Sequence, residues 1–207
     1  MLVYRTKIGP VIECVVNMTG KHCDRVPIKG TVIDMNLQRL HLSQQHVGEV
    51  FAQQEDTCLL TDETSKKGEK YMGYEASDST GRLWVLGVRD MATKSAADTL
   101  SVFKEILNDI DYTSEQSSDQ TSKLILKHIV ATMSDRAATE IKFNTLLQDY
   151  KTTIMPAIIE NLDTMPEDEQ KSVSHLANFF CGLHALIHIA ETAEKAIRGV
   201  EQGLLST

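Results

Sequence analysis
The sequence predicts an α/β fold on a mixed sheet: three antiparallel strands, a helical crossover, and a fourth strand returning parallel to the first. Three observations carry this. Short apolar runs at 57–61, 70–76 and 82–88 are separated by polar, glycine-containing turns. Helical spacing takes over from residue 95 to about 110, and a fresh apolar run, His128–Met133, follows. The first and fourth runs each end in an acid, Asp62 and Asp135.

Along the chain, Pro10–Met18 (PVIECVVNM) reads equally as a short helix or a strand. Thr31–Gln53 reads as a long helix capped by Thr31, with Val32, Met35, Leu37, Leu40, Leu42, Val47, Val50 and Phe51 in apolar stripes. Two helices about a proline-containing turn fit a DNA-reading helix-turn-helix or a helical prefix packed on the next domain. Arg39 is the one arginine or lysine in the second helix, which weakens the DNA reading. Asp78-Ser79-Thr80-Gly81 is a hairpin turn. The third strand is apolar on both faces, as in a sheet covered on both sides. Ser95-x-x-Asp98 is a capping box for a helix with Leu100, Phe103, Ile106, Leu107 and Ile110 inward.

Residues Tyr112–Gln120 form a polar loop, and a short helix over 121–127 leads into the fourth strand. A long helix from Ala137 carries Ile141, Leu146, Leu147, Tyr150, Ile154 and Ile158 at helical spacing, and Pro156 kinks or ends it. Thr164-x-x-Glu167 with Pro166 opens another helix.

Composition narrows the function. With 42% hydrophobic and 24% charged residues, the 207-residue chain is globular and long enough for one substantial domain. A net charge of −8 argues against a protein that coats nucleic acid non-specifically, but not against an acidic, metal-dependent site. No apolar stretch approaches the ~20 residues of a membrane span. The N-terminal run is broken by Gly9-Pro10 and Glu13 and lacks a cleavage site, so no secretory leader is expected. The irregular spacing of Cys14, Cys23, Cys58 and Cys181 suits a reduced, intracellular protein, nuclear or cytoplasmic. Cys14, His22 and Cys23 lack a second pair at zinc-finger spacing and read better as small buried cysteines.

The crossover would set the fourth strand beside the first, with Asp62 and Asp135 on neighbouring strand ends. Two such carboxylates repel unless a cation lies between them, and hard oxygen ligands suit Mg²⁺ or Mn²⁺. Strand-end aspartates also serve as turn and cap residues, so both readings stand. Cys181, His184 and His188 share one helical face, and zinc with His175 is conceivable; a core-facing cysteine with satisfied histidines is the plainer reading.

The segments LLTDETSKKG, ATMSDRAATEIKFNTLL and NFFCGLHALIHIAETAE resemble the catalytic core of eukaryotic DD(E/D) cut-and-paste transposases. The likeness is in particular to transposase-derived proteins of invertebrates and fish, and more loosely to the hAT-like group. It spans about residues 9 to 197. The resemblance implies a ribonuclease H-like α/β fold and three parts: a helical prefix (1–54), a core (55–180) and the truncated start of a helical insertion (181–207). It implies Asp62 and Asp135 as catalytic metal ligands for Mg²⁺ or Mn²⁺, and Cys181 and His184 as the C-x-x-H structural signature. Lys66, Lys67 and Arg136 become contacts to DNA, the implied partner, within a homo-oligomer that uses no membrane and no small-molecule cofactor. The family's third acid has no counterpart here, since Glu191 and Glu194 follow the signature too soon. The expectation is therefore a weak site and little or no strand cleavage, or else a domesticated, non-catalytic DNA- or protein-binding module.

Overall fold
The computed structural model describes residues 8–22, 25–93, 95–114 and 120–205. Cys23, residues 1–7 of the N-terminal run and most of the 112–120 loop lie outside the described residues.

Helix α1 (Ile8–Met18) resolves the ambiguous first segment as helix. Helix α2 (Lys29–Phe51) starts earlier than Thr31, which lies inside its first turn; Ile28 is the cap residue and no side chain caps the helix. Strands β1 (Thr57–Lys66), β2 (Glu69–Ser77) and β3 (Leu83–Asp90) form the antiparallel part of the sheet. Helices α3 (Ala96–Thr113) and α4 (Gln120–His128) cross over to β4 (Ile129–Ser134). Helix α5 (Ala138–Ile158), a 3₁₀ turn (Leu162–Thr164), α6 (Glu167–Ser174), β5 (Ala177–Phe180) and α7 (Gly182–Leu205) complete the described chain.

The strand order is β3-β2-β1-β4-β5. β1 runs antiparallel to β2 and parallel to β4, and β4 runs parallel to β5. Three meandering strands followed by parallel strands reached through helices are the ribonuclease H-like arrangement expected from the sequence.

Several boundaries move, each for a physical reason. β1 runs to Lys66 because β2 pairs with it continuously from Cys58↔Ser77 to Lys66↔Glu69. Its polar second half is held by backbone pairing, which an apolar pattern does not reveal. Lys67 and Gly68, both at positive φ (57° and 84°), close this hairpin tightly. The second hairpin is built on Asp78. Its Oδ1 accepts from the Thr80 and Arg82 amides and the Thr80 hydroxyl, and its Oδ2 accepts from Trp84 Nε1. The Ser95 cap forms as predicted, accepting from the Asp98 amide at 3.0 Å. The Thr164 box does not: Thr164 sits in the 3₁₀ turn, and Pro166 caps α6 without a side-chain bond.

The helices cover one face of the sheet. Phe51, Leu59, Met72, Tyr74, Leu86, Phe103, Ile106, Ile110, Ile129, Phe143 and Leu147 form the core. Tyr74 is fully buried, stacks on Phe103 and donates to the Thr99 carbonyl. Helix α2 reaches this core through Val47, Gly48 and Phe51. The expected covering of both faces is not seen among the described residues: Leu83, Val85 and Val88 of β3 are exposed. The predicted stripe of α5 is kept in part: Leu147 is buried, and Leu146, Tyr150 and Ile154 pack against the core. Ile141 is exposed, and Glu140, Phe143, Asn144, Leu147, Lys151 and Met155 face the sheet. Three of those six, Glu140, Asn144 and Lys151, are polar, so hydrophobic spacing does not reveal that part of the inward face. Pro156 does not stop α5 at once; the helix continues to Ile158.

Candidate functional site
β1 and β4 pair in parallel as far as Leu60↔Met133. β4 ends at Ser134, whereas β1 continues along β2, with Asp62 opposite Gly73. Two residues beyond the last β1–β4 pair stand Asp62, on β1, and Asp135, just past the end of β4. Asp62 is thus not at a strand end, as the sequence suggested. It lies where its strand parts from β4, at the kind of fork where ligands gather in sheets containing parallel strands.

Asp62, Asp135, Cys181 and His184 line one cleft of about 370 Å³ with Leu60, Thr64, Gly73, Glu75, Val88 and Met133. Asp62 is exposed and Asp135 half-buried. Asp135 Oδ1 accepts from the Ala137 amide at 2.9 Å, so one of its oxygens turns the chain into α5 and the other is left for a ligand. Gly73 lines the cleft from β2, and a Cβ there would make an ordinary contact, 3.7 Å from the Asp62 carbonyl oxygen.

β5 delivers the remaining pair. The Cys181 amide donates to the Ser134 carbonyl, tying the start of α7 to the end of β4. Cys181 and His184 are half-buried rather than mostly buried, because they form the wall of an open cleft. The His184 amide, then its side chain and the Leu183 amide, hold the Cys181 thiol below its ordinary value. Contact with Cys181, and more weakly the charges of Asp135 and Asp62, raise the His184 imidazole. Its Nδ1 is shut from solvent and has no hydrogen-bond partner among the described residues. His188 is exposed on α7 and pairs with Glu191, and His175 lies at the end of α6, away from the cleft. Cys14 is exposed, not buried.

Lys66, Lys67 and Arg136 do not line the cleft. The lysines occupy the β1–β2 hairpin tip, roughly 13 Å along β1 from Asp62. Arg136 is exposed next to Asp135, its guanidinium 5.8 Å from the Phe180 ring.

The buried residue that sequence reasoning missed is Glu140. It is 7% exposed, and its Oε2 accepts from Thr61 Oγ1 at 2.7 Å. Burial, with smaller pushes from Asp135, Glu63 and Asp62, raises its carboxyl above the ordinary value against the lowering effect of the Thr61 bond. Its spacing to Phe143 and Leu147 was the available signal, since those residues form an inward helical face.

Two hard carboxylates beside a solvent-open cleft suit Mg²⁺, which is commonly held by one or two carboxylates and keeps several waters. They do not make a closed cage: among the described residues, no group of three or more His, Cys, Asp or Glu is placed to hold a metal ion. No helix of the described residues is long and apolar enough to cross a membrane.

The strand order and directions, with acids at the fork, define the chain as an α/β protein of the ribonuclease H-like class. No family model matches the sequence, and no curated protein matches it. Among solved structures, a similar fold is the HTLV-2 integrase catalytic core domain in complex with magnesium (trimeric form). It is 12% identical over 59% of this chain and 84% of that one, with a TM-score of 0.29. At that identity and score the likeness adds nothing about the site, and the class rests on the topology above.

Proposed function
We propose that this chain is the core of a DD(E/D)-type DNA strand transferase related to eukaryotic, loosely hAT-like transposases, with Asp62 and Asp135 as its divalent-cation ligands. The observation that carries the reading is the fork: two carboxylates two residues past the last β1–β4 pair, lining one cleft. The resemblance of the surrounding segments supports it. In this reading residues 55–180 are the core, 1–54 a helical prefix and 181–207 the beginning of a helical insertion. Mg²⁺ or Mn²⁺ bound there would supply charge stabilisation at a phosphodiester.

The chain's own residues have separate tasks. Asp62 presents a free carboxylate on a strand fixed by β2. Asp135 presents one oxygen while the other keeps α5 in place. Cys181 and His184 close the cleft wall as the structural signature. Lys66, Lys67 and Arg136 offer positive charge to a DNA backbone outside the cleft.

A second reading, a non-catalytic DNA- or protein-binding module, is favoured by the lack of a third ligand beside the pair among the described residues. Both readings are tested by Mn²⁺ titration and by nicking of supercoiled DNA, using the 207-residue protein, Asp62→Asn and Asp135→Asn. Weak Mn²⁺ binding that disappears in both variants, with no robust nicking, is expected. Binding unchanged in both variants would overturn the metal site. Nicking by wild type that both variants abolish would show that an acid within these residues completes the site.

A further inference from the structure
We infer that Glu140 is the positioning residue of the two-aspartate cleft: it clamps the first turn of α5 to β1 through Thr61, and so sets the separation of Asp62 and Asp135. This rests on the reading above, that the aspartates share a cation.

The connectivity leads to it directly. Thr61 immediately precedes Asp62, and Glu140 lies five residues after Asp135. Asp135 Oδ1 is itself bound to the Ala137 amide at the start of α5. One buried hydrogen bond, Thr61 Oγ1 to Glu140 Oε2, between residues 79 apart in sequence, therefore joins the segments carrying the two aspartates. Beyond Leu60↔Met133 no β1–β4 backbone pairing does this. Without the clamp, this end of α5 would be held against β1 by apolar contacts, and such contacts are non-directional.

The far end of α5 is pinned in a similar way. Lys151 Nζ donates to the carbonyl of Ile129, the first residue of β4. The two pins are eleven residues apart, roughly 16 Å of helix. Two points so far apart fix both the height of α5 along the β1–β4 pair and its tilt across it. Burying a carboxylate is unfavourable unless it is well paired, and Leu or Met would fill position 140 without that cost. Thr61 is the hydrogen-bond partner found for it among the described residues, which makes the clamp the reason for having an acid there.

The test compares Mn²⁺ binding, followed by the loss of the free-ion electron paramagnetic resonance signal, with thermal melts. It uses the 207-residue protein, Thr61→Val, Thr61→Ser, Glu140→Gln and Asp62→Asn. Thr61→Val should weaken binding about tenfold while still melting cooperatively, because a misplaced ligand loses affinity much as a disturbed outer-shell partner does. Thr61→Ser keeps the hydroxyl and should restore binding; Glu140→Gln keeps an acceptor and should bind within about twofold of wild type. A merely structural role would move the melting temperature of Thr61→Val and leave its affinity alone, and that result would overturn the proposal. Loss in Glu140→Gln as complete as in Asp62→Asn would also overturn it, by making Glu140 a ligand. Wild type that binds no Mn²⁺ would sink the metal reading and this inference together, whereas failure confined to the Thr61 and Glu140 variants would sink this inference alone.

Discussion

The stability difference between wild type and Lys151→Met should change by about 2 kcal/mol between pH 7 and pH 9.5. Lys151 is fully buried under β4, and burial lowers its ammonium from 10.5 to about 8. The folded state thus holds a proton less tightly than the unfolded chain. Below pH 8 that mismatch is present in full, and at about 1.4 kcal/mol per pH unit it costs at most roughly 3 kcal/mol. At pH 9.5 the folded amine is already neutral while the unfolded one is still largely protonated, which leaves roughly 1.4 kcal/mol. Wild-type stability should therefore be favoured as pH rises from 8 towards 10.5 and disfavoured as it falls through about 8. Methionine fills similar space without titrating. It also abandons the Ile129 carbonyl, at about 1–3 kcal/mol, but that loss applies at both pH values and leaves the difference between them intact. Urea unfolding of both proteins at pH 7 and pH 9.5 gives the four free energies required. The same wild-type–variant difference at both pH values would refute the argument and mean that Lys151 stays protonated and solvated in the folded protein.

Further outcomes can be checked on the same material. Hydrogen bonds from the Thr80 hydroxyl and Trp84 Nε1 come first among the causes holding Asp78 at about 2. Its contribution is present above the ordinary carboxylate value and lost as pH falls through about 2, so Asp78→Asn should flatten the acid limb of a circular-dichroism melt series between pH 4 and pH 2; an unchanged limb would remove Asp78 as the hairpin's anchor. A Cβ on Gly48 would stand 2.9 Å from Ile110 Cγ2 and 3.2 Å from Thr121 Cγ2. The overlap should cost Gly48→Ala about 1–3 kcal/mol against about 1 kcal/mol that alanine gains inside a helix, a net loss by calorimetry, and a clearly raised melting temperature would show that α2 is not seated on α3 and α4.

Much of the architecture was legible because its determinants are local. Asp78–Gly81 announces a hairpin through its own side-chain bonds, Ser95 and Asp98 announce a helix start, and the apolar runs mark β1–β4 in order. The helical crossover then placed β4 beside β1 and brought Asp62 and Asp135 to the same end of the sheet. The length of β1 was not legible, since its second half is polar and exists because β2 supplies a continuous ladder. Nor was the polar part of the inward face of α5: Glu140 and Lys151 are charged residues made internal by partners 79 residues away in Thr61, and 22 residues away in Ile129. A sequence displays the hydrophobic periodicity of one segment at a time. Whether a charged side chain is inside depends on which distant carbonyl or hydroxyl meets it, and tertiary packing alone decides that meeting.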